Sequence, residues 1–389
     1  RVTWCHDARA RFPRYGDRWM VAGRLTAPEF GPADRRPGRR FLFLTTGAGN
    51  AEFLAPGQGN RAVAYCLESR DGARRLLNAG IEHHTNDVAV LNSLLLGYRS
   101  QMPQEIYRAF ARTGTLHIFA ISGSHVVVLA AVIVFALSVF KVRRTRWVLF
   151  VGPLLVFYTV MTGLQPSAVR ACIMAIVFML APLLGRESDV FSSLAVAAVL
   201  ILAVVPGDLF DIGALLSFTA VLGIVLLYPV CIRPLHRLLS PEHDPLRIQP
   251  EARAMQVLRA VWRDFSMLLA TSGAAWLVST PLTACYFGIF SPIALLGNLL
   301  AIPLASLIIV TGSLSLVAGS CVPVLGEIFN HTNLVLASWL TGSMDFFASL
   351  PGAWCEVPPP SPWLLAAFYF FLAWLVLESR RGRSEQVGA

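Results

Sequence analysis

This chain of 389 residues is 55% hydrophobic and only 14% charged, whereas a soluble domain usually carries about 25% charged residues. Such a composition excludes an ordinary soluble protein. The formal net charge is +9, and most of the basic excess precedes residue 113. A basic domain outside a membrane suits an anionic partner, either nucleic acid or lipid headgroups. An ordinary solvated basic surface explains the same charges.

The first 66 residues have the pattern of short strands separated by turns. The stretch from Arg18 to Leu25 alternates polar and apolar residues after a Gly-Asp pair, which predicts a half-buried strand. Residues 41–46 give a second strand, and the Gly- and Pro-rich residues 47–60 predict a loop. We therefore predict a small β domain over 1–66. Because the chain opens inside a strand-like pattern and not with Met, we expect this domain to be incomplete.

Residues 67–115 are predicted to be amphipathic helices that either lie on the membrane surface or connect this domain to the membrane. Beyond them the apolar segments reach the length of about 20 residues that a membrane span needs. We predict spans at 117–140, 147–163, 169–185, 190–206, 212–230, 265–288 and 361–378. The fold class is thus a polytopic α-helical membrane protein with a small N-terminal β domain, a transmembrane domain over 116–380 and a tail over 381–389.

The distribution of basic residues predicts the orientation of the spans. Residues 141–146, 231–264 and 380–383 are rich in Arg, whereas residues 289–360 contain neither Lys nor Arg. The positive-inside rule then places the three basic segments and the C-terminus in the cytoplasm, and the N-terminal domain outside. The span count agrees only if 292–320, interrupted by Pro303, enters and leaves on the outer side as a re-entrant hairpin. The alternative is a full crossing with an external C-terminus, and the Arg residues at 380–383 argue against it.

Four of the seven cysteines fall in segments predicted to lie outside the membrane: Cys5, Cys66, Cys321 and Cys355. Cys5 with Cys66, and Cys321 with Cys355, could form disulfides in an oxidising compartment. The His and Cys residues do not follow the spacing of a metal site, so we expect neither a metal nor another cofactor.

Polar residues cluster at the start of the first predicted span. Ser122 and His125 are three residues apart and would share one helix face, with His117 further out. Gly123 would permit close approach of another helix or a ligand. Polar groups at membrane depth usually face a bundle interior or a water-filled path. Hydrogen bonds between helices are the simpler explanation.

The same segment resembles the signature of the ComEC competence family: Gly-Thr-Leu-His at 114–117, then Ile-Ser-Gly-x-His-Val at 121–126. Further stretches resemble that family in the same order, at 94–100, 166–171, 211–223, and 291–303. The resemblance covers most of residues 90–320. Ser124 and Leu215 depart from the family pattern.

The resemblance implies an inner-membrane channel of bacteria that imports single-stranded DNA during natural transformation. It places Arg170, Ser217 and Asn298 beside His117, Ser122, Gly123 and His125 along the DNA path. It also implies that the N-terminal strands belong to an OB-like domain, in which basic and aromatic residues bind DNA; the candidates are Arg14, Arg18, Trp19 and Arg24. The implied partners are single-stranded DNA, the lipid bilayer, a cytoplasmic motor or DNA-binding protein, and a separate nuclease and DNA receptor.

Many relatives continue into a metallo-β-lactamase-like domain, but residues 1–389 contain no His-x-His-x-Asp-His motif. We therefore expect no nuclease activity and no enzymatic role in this chain. Two alternatives stay open. One is a membrane-embedded hydrolase with Ser122 as nucleophile and His125 as base, although no acid that orients the His is evident. The other is a small-solute transporter, favoured by the interrupted segment 292–320.

Overall fold

The computed structural model describes residues 59–187, 189–239 and 253–387, together with residue 15 and residues 17–21, 24–26, 43–45 and 51–55. Helices dominate these ranges: α1 (Arg61–Asn78), α2 (Thr85–Leu96), α3 (Gln104–Arg112), α4 (Gly123–Val139), α5 (Trp147–Met161), α6 (Pro166–Leu180), α7 (Val190–Val204), α8 (Ile212–Leu239), α9 (Arg253–Phe287), α10 (Ala294–Cys321), α11 (Pro323–Ser349) and α12 (Pro362–Val387). The strands are β1 (Arg18–Val21), β2 (Arg24–Thr26), β3 (Phe43–Thr45), β4 (Ala51–Ala55), β5 (Ile289–Phe290) and β6 (Cys355–Glu356).

Five helical segments are long and apolar enough to cross a membrane: Pro166–Leu184, Ile212–Leu235, Met255–Phe287, Ala294–Cys321 and Pro362–Ser379. The apolar helices α4 and α7 are shorter than a full span. The predicted class of polytopic helical membrane protein is therefore confirmed, while the predicted spans that begin at 117 and 190 correspond to these shorter helices.

The core of the bundle is built around α2. Of the two alternatives for this segment, a position on the membrane surface is wrong for α2, because every residue from Ala89 to Leu96 is buried. Leu94 of α2 packs in one apolar cluster with Phe110 of α3, Ile308 of α10 and Leu340 of α11. The helix ends at Gly97, whose φ of 76° favours glycine. The spacing of its polar residues resembles that of an amphipathic helix, but the polar residues Asn92 and Ser93 are buried like the apolar ones.

Two further apolar clusters hold the remaining helices together. Val126 of α4, Val151 and Leu155 of α5 and Cys172 of α6 form the first. The second joins α8, α9 and α12 through the buried residues Leu227, Ala274, Val278, Leu372 and Val376. The helices from α4 to α6 and those around α9 are thus separate packing units, and both border α10.

The prediction that segment 292–320 forms a broken re-entrant hairpin is wrong. The segment folds as the single helix α10, with Pro303 inside it. The hairpin is instead made by α10 and α11, which turn at Val322 and pack along one another. Ser315 of α10 donates to Asn330 of α11 (2.6 Å), and Ala305 and Ala337 share a core cluster further along.

The proposed disulfide between Cys321 and Cys355 is excluded by this hairpin. Cys321 ends α10, whereas Cys355 lies in β6, which pairs with β5 just before α10 begins. A helix of this length spans about 42 Å, while disulfide Cα atoms are about 5.5–6 Å apart. Both cysteines are free and exposed.

The turn of the α10–α11 hairpin depends on two facing glycines. A Cβ placed on Gly326 would lie 2.8 Å from the Cα of Gly319, which is closer than any real contact. We expect Gly326→Ala to push the two helices apart and lower the thermal unfolding temperature of the detergent-solubilised protein. Gly342→Ala is the matched control on α11, since its Cβ would meet nothing within 4 Å. Equal unfolding temperatures for the two variants would contradict the close approach.

The N-terminal β domain is described only in part. β1 pairs with β4 and β2 with β3, both antiparallel, so strands do form there, and the OB-like barrel stays a prediction. Arg18 and Trp19 lie on β1 and Arg24 lies at the start of β2. Arg14 and Cys5 fall outside the described residues.

The helical part of the chain begins earlier and ends later than the domain boundaries predicted from the sequence. Helix α1 begins at Arg61, five residues before the predicted end of the β domain at 66, because the Asn60 side chain caps it by accepting from Ala62 N (2.9 Å). Cys66, half-buried, therefore lies on a helix. At the other end, α12 continues to Val387 through most of the predicted tail.

Candidate functional site: a polar junction at the helix ends

The polar residues at 117–125 lie at the start of α4, not along one continuous span. Residues 116–118 form a 3-10 turn, and α4 begins only at Gly123. Ser122 is the N-cap residue, with extended backbone, and His125 is the third residue of the helix. His117 therefore lies outside the helix that begins after Ser122. His117 is exposed in the separate turn, its Nδ1 3.2 Å from the carbonyl of Gly114.

Ser122 and His125 nevertheless touch one another. His125 Nδ1 accepts from the backbone N–H of Ser122 (3.3 Å) and lies 3.1 Å from its Oγ. Accepting that N–H requires a neutral ring with its proton on Nε2. Nε2 is buried and faces the backbone carbonyl of Leu94 at the end of α2. The pair thus forms a capping box with His in the position that Glu usually takes.

The N-terminal end of α4 packs directly on the first turns of α6. Ser167 Oγ donates to the carbonyl of Ile121 (2.7 Å). A Cβ on Gly123 would meet the Cβ of Ala171 at 3.8 Å, an ordinary contact. Gly123 therefore lies at the predicted helix contact, but the space there would accept a methyl group.

Two residues that sequence reasoning did not assign to the site hold this contact together. The guanidinium of Arg99 donates through Nε to the carbonyl of Phe119 (2.7 Å) and through Nη2 to Oε1 of Gln165 (2.6 Å). Gln165 is buried and precedes α6. Arg99 stands in a stretch that resembles the competence family, which was the one available signal for it.

Arg170 is the one charged residue of α6, and it is buried, with 3% of its surface exposed. Its Nη2 donates to the carbonyl of Gly213 in the first turn of α8 (2.7 Å). Its Nε and Nη1 are buried without a hydrogen-bond partner among the described residues. The nearest opposite charges are Asp211 and Asp208. Asp211 also caps α8 by accepting from Ala214 N (3.1 Å).

We group six residues as the polar junction, because they lie at the first turns of α4, α6 and α8 or bond to residues just before those turns: Arg99, Ser122, His125, Gln165, Arg170 and Asp211. The junction lies where α4, α6 and α8 begin, on top of an apolar bundle. A guanidinium with two buried, unpaired donors is suited to a phosphate or carboxylate oxygen, which it binds with directional hydrogen bonds. The junction therefore has the chemistry to contact an anionic chain.

Ser217 and Asn298 were predicted to line the same path, and the contacts do not tie them to the junction. Ser217 is half-buried on α8, one turn after Gly213. Asn298 is buried on α10, and its Oδ1 has no partner in the described ranges. The neighbouring Gly297 packs on the turn at Thr113 and Thr115. Their place in a DNA path stays a prediction.

A second charged cluster borders the junction beside Gly97. The ring of Tyr98 lies 3.7 Å from the guanidinium carbon of Arg70, and its hydroxyl donates to Asp71. Burial, together with this hydrogen bond, raises the pKa of Tyr98 to about 12. The phenol is therefore neutral at physiological pH and holds α1 against the start of the Arg99 turn.

Comparison with known protein families identifies the family of this chain. The family described as Competence protein matches residues 94–382. The chain belongs to the Competence protein family. The match includes the whole polar junction from Arg99 to Asp211 and every helix from α3 to α11, while the N-terminal strands and α1 precede it.

Two curated relatives are similar to this competence-family chain. "ComE operon protein 3" of Bacillus subtilis (strain 168) is 23% identical over 287 residues, which are 73% of this chain and 33% of that protein. "Uncharacterized protein YcaI" of Escherichia coli (strain K12) is 27% identical over 306 residues, 74% of this chain and 37% of the relative. The chain thus spans about a third of the length of the curated relatives it matches. No solved structure matches it.

Proposed function

We propose that this chain forms the conduit through which single-stranded DNA crosses the bacterial inner membrane, and that it is not itself an enzyme. Family membership supports a role in competence. The observation that carries the finer proposal is the buried guanidinium of Arg170, with two unpaired donors at the junction of three helices. A phosphate backbone is the ligand that such donors select.

The proposed orientation follows from the basic loops and the α10–α11 hairpin. With residues 141–146 and the loop before α9 in the cytoplasm, α9 leads outward, α10 returns, α11 leads outward, and α12 brings the C-terminus back. This count takes α11, which is 27 residues long, as a crossing in addition to the five apolar segments, and it then needs no re-entrant segment. The N-terminal domain would then be external, where its basic residues meet incoming DNA.

The driving force would come from elsewhere, since the sequence contains no Gly-x-x-x-x-Gly-Lys-Ser/Thr phosphate loop. We propose a cytoplasmic motor or single-stranded DNA-binding protein as the partner on one side. A DNA receptor and a separate nuclease would serve the other side.

The experiment that tests the conduit is import of labelled DNA into cells that lack this chain. We expect label to stall outside the inner membrane, protected from neither added nuclease nor washing, and expect the wild-type chain to restore import. Normal import in the deleted strain, under conditions in which the parent is competent, would refute the proposal.

The hydrolase alternative has one observation in its favour, the 3.1 Å contact between Ser122 Oγ and His125 Nδ1. Against it, the same Nδ1 accepts a backbone N–H, and no carboxylate bonds Nε2 within the described ranges. The transporter alternative rested on a broken helix at 292–320, and α10 is continuous there.

Substitution of Ser122 separates capping from nucleophilic catalysis. Asn is as good an N-cap residue as Ser, whereas Ala costs about 1 kcal/mol at such a position. We expect Ser122→Asn to import DNA at nearly the wild-type level, and Ser122→Ala to lose at most a few-fold. A hydrolase would lose all activity in both variants, so abolished import in Ser122→Asn at normal protein levels would support the enzyme. Membrane abundance of each variant is the control.

A further inference from the structure

A groove lined only by apolar side chains runs between α1, α5 and α6. It encloses about 710 Å³, within the range of small-molecule sites. Val63 and Cys66 line it from α1, Gly152 from the middle of α5, and Ile176 from α6; Leu183 lies at one end. None of the residues that line it carries a charge, so an occupant must itself be apolar along its length.

One end of this groove meets a dense cluster of positive charge. Val148 and Leu149 follow directly on the 3-10 turn Arg144–Arg146, and Leu183 belongs to the 3-10 turn Ala181–Leu184. These two turns pack against each other. The exposed basic residues around them form what we call the basic rim: Lys141, Arg143, Arg144, Arg146 and Arg186.

The basic rim has little negative charge of its own. From residue 141 to residue 187 the only acidic side chain is that of Glu187. No ion pair joins the rim residues to a carboxylate within the described part of the chain. The positive charges are therefore available to an external anion.

Trp147 marks the depth at which the groove and the rim meet. Its indole N–H donates to the carbonyl of Val142 (3.1 Å), and the guanidinium of Arg144 lies 5.7 Å from its ring. Trp side chains prefer the headgroup region of a bilayer. With Trp147 in the headgroup region, the rim would lie at headgroup level and the groove would extend from it into the hydrocarbon.

We propose that this groove binds an anionic phospholipid, with one acyl chain between α1, α5 and α6 and the headgroup phosphate on Arg144 and Arg146. An apolar groove that ends in unpaired guanidinium groups matches a molecule with an apolar chain and an anionic head. Basic pockets between membrane helices bind anionic headgroups by this chemistry. The bound lipid fastens α1, and with it the N-terminal domain, to the α5–α6 pair. The inference does not depend on DNA import.

The test is native mass spectrometry of the full-length chain in detergent, titrated with phosphatidylglycerol or with phosphatidylcholine of identical acyl chains. We expect one phosphatidylglycerol to be retained at concentrations where phosphatidylcholine is lost. Arg144→Gln/Arg146→Gln should weaken phosphatidylglycerol binding at least tenfold, because the exposed side chains hold the headgroup. Arg108→Gln/Arg263→Gln is the control that removes two exposed charges elsewhere and should bind as wild type.

A second variant tests the groove itself. At Gly152 the nearest atom to an added Cβ is Ile176 Cγ1, at 3.9 Å, so Gly152→Phe places a ring in the space of the acyl chain. We expect it to abolish retention of phosphatidylglycerol with the basic rim intact. Equal retention of the two lipids, unchanged binding in Arg144→Gln/Arg146→Gln, or full binding in Gly152→Phe would each overturn the proposal. A dimer mass that disappears in Gly152→Phe would assign the groove to a second copy instead, and would also overturn it.

Discussion

Arg170→Gln is expected to reduce DNA import about 100-fold or more while the protein remains in the membrane. The guanidinium offers two buried, unpaired donors at the polar junction. Hydrogen bonds between charged groups contribute about 1.5–3 kcal/mol each, and about 1.4 kcal/mol of barrier changes a rate tenfold. Gln keeps one donor group but neither the charge nor the fork. The measurement is nuclease-protected cytoplasmic label at matched protein levels.

The control for Arg170 removes the neighbouring charge without removing a phosphate donor. Asp211→Asn abolishes the negative charge beside Arg170, yet Asn still caps α8. We expect it to import DNA at close to the wild-type level. Arg170→Lys keeps the charge but not the geometry that reaches the Gly213 carbonyl and a phosphate together, so an intermediate loss is expected. If Arg170→Gln imports DNA normally, Arg170 only ties α6 to α8.

Asn330→Ala is expected to cost about 1.5–4.5 kcal/mol of unfolding free energy, because it removes three hydrogen bonds that contribute about 0.5–1.5 kcal/mol each. The side chain is fully buried. Its Nδ2 donates to the carbonyls of Leu76 (2.8 Å) and Ala79 (2.9 Å), and its Oδ1 accepts from Ser315. Those two carbonyls lie at the end of α1, where the Leu76 carbonyl otherwise accepts a long bond from Ala79 N (3.4 Å). One amide thus connects α1, α10 and α11.

Asn333, one turn further along α11, is the matched control for Asn330. It is equally buried, and its Oδ1 accepts from Thr311. Thr311 also donates to the carbonyl of Leu307 (2.7 Å), so Asn333→Ala leaves that hydroxyl with a partner. We expect thermal unfolding in detergent, followed by Trp fluorescence, to occur at a clearly lower temperature for Asn330→Ala. Equal midpoints would show that the α1 carbonyls find other partners.

The tertiary contacts connect these predictions to the proposed function. Arg99 and Arg170 hold the ends of α4, α6 and α8 together with polar groups, whereas Asn330 secures α1 at the other end of α2. Arg99 adjoins the C-terminal end of α2, and Asn330 binds the Ala79 carbonyl, which precedes its N-terminal end. The proposed conduit would then run beside α2 and not through the apolar cluster that encloses it.

The sequence by itself determined the membrane class, because apolar runs of about 20 residues rarely form anything other than membrane-spanning helices. It also determined the family resemblance and three of the six residues of the polar junction, since a Ser, a His and an Arg are conspicuous among apolar neighbours. Helix caps of the Ser122 kind can be predicted from sequence, because the free N–H groups at a helix start require a nearby side-chain acceptor.

Only the tertiary structure decided which surfaces are covered and which ends meet. The sequence pattern of α2 looks amphipathic, yet the surrounding helices bury every residue from Ala89 to Leu96. Hydrophobic periodicity cannot predict how many helices will pack around a given helix. Pro303 suggested a break, but packing along α11 keeps α10 whole, and that in turn separates Cys321 from Cys355. Arg99, Gln165 and Asn330 escaped notice because their partners are distant in sequence and contribute carbonyl groups, which every residue carries.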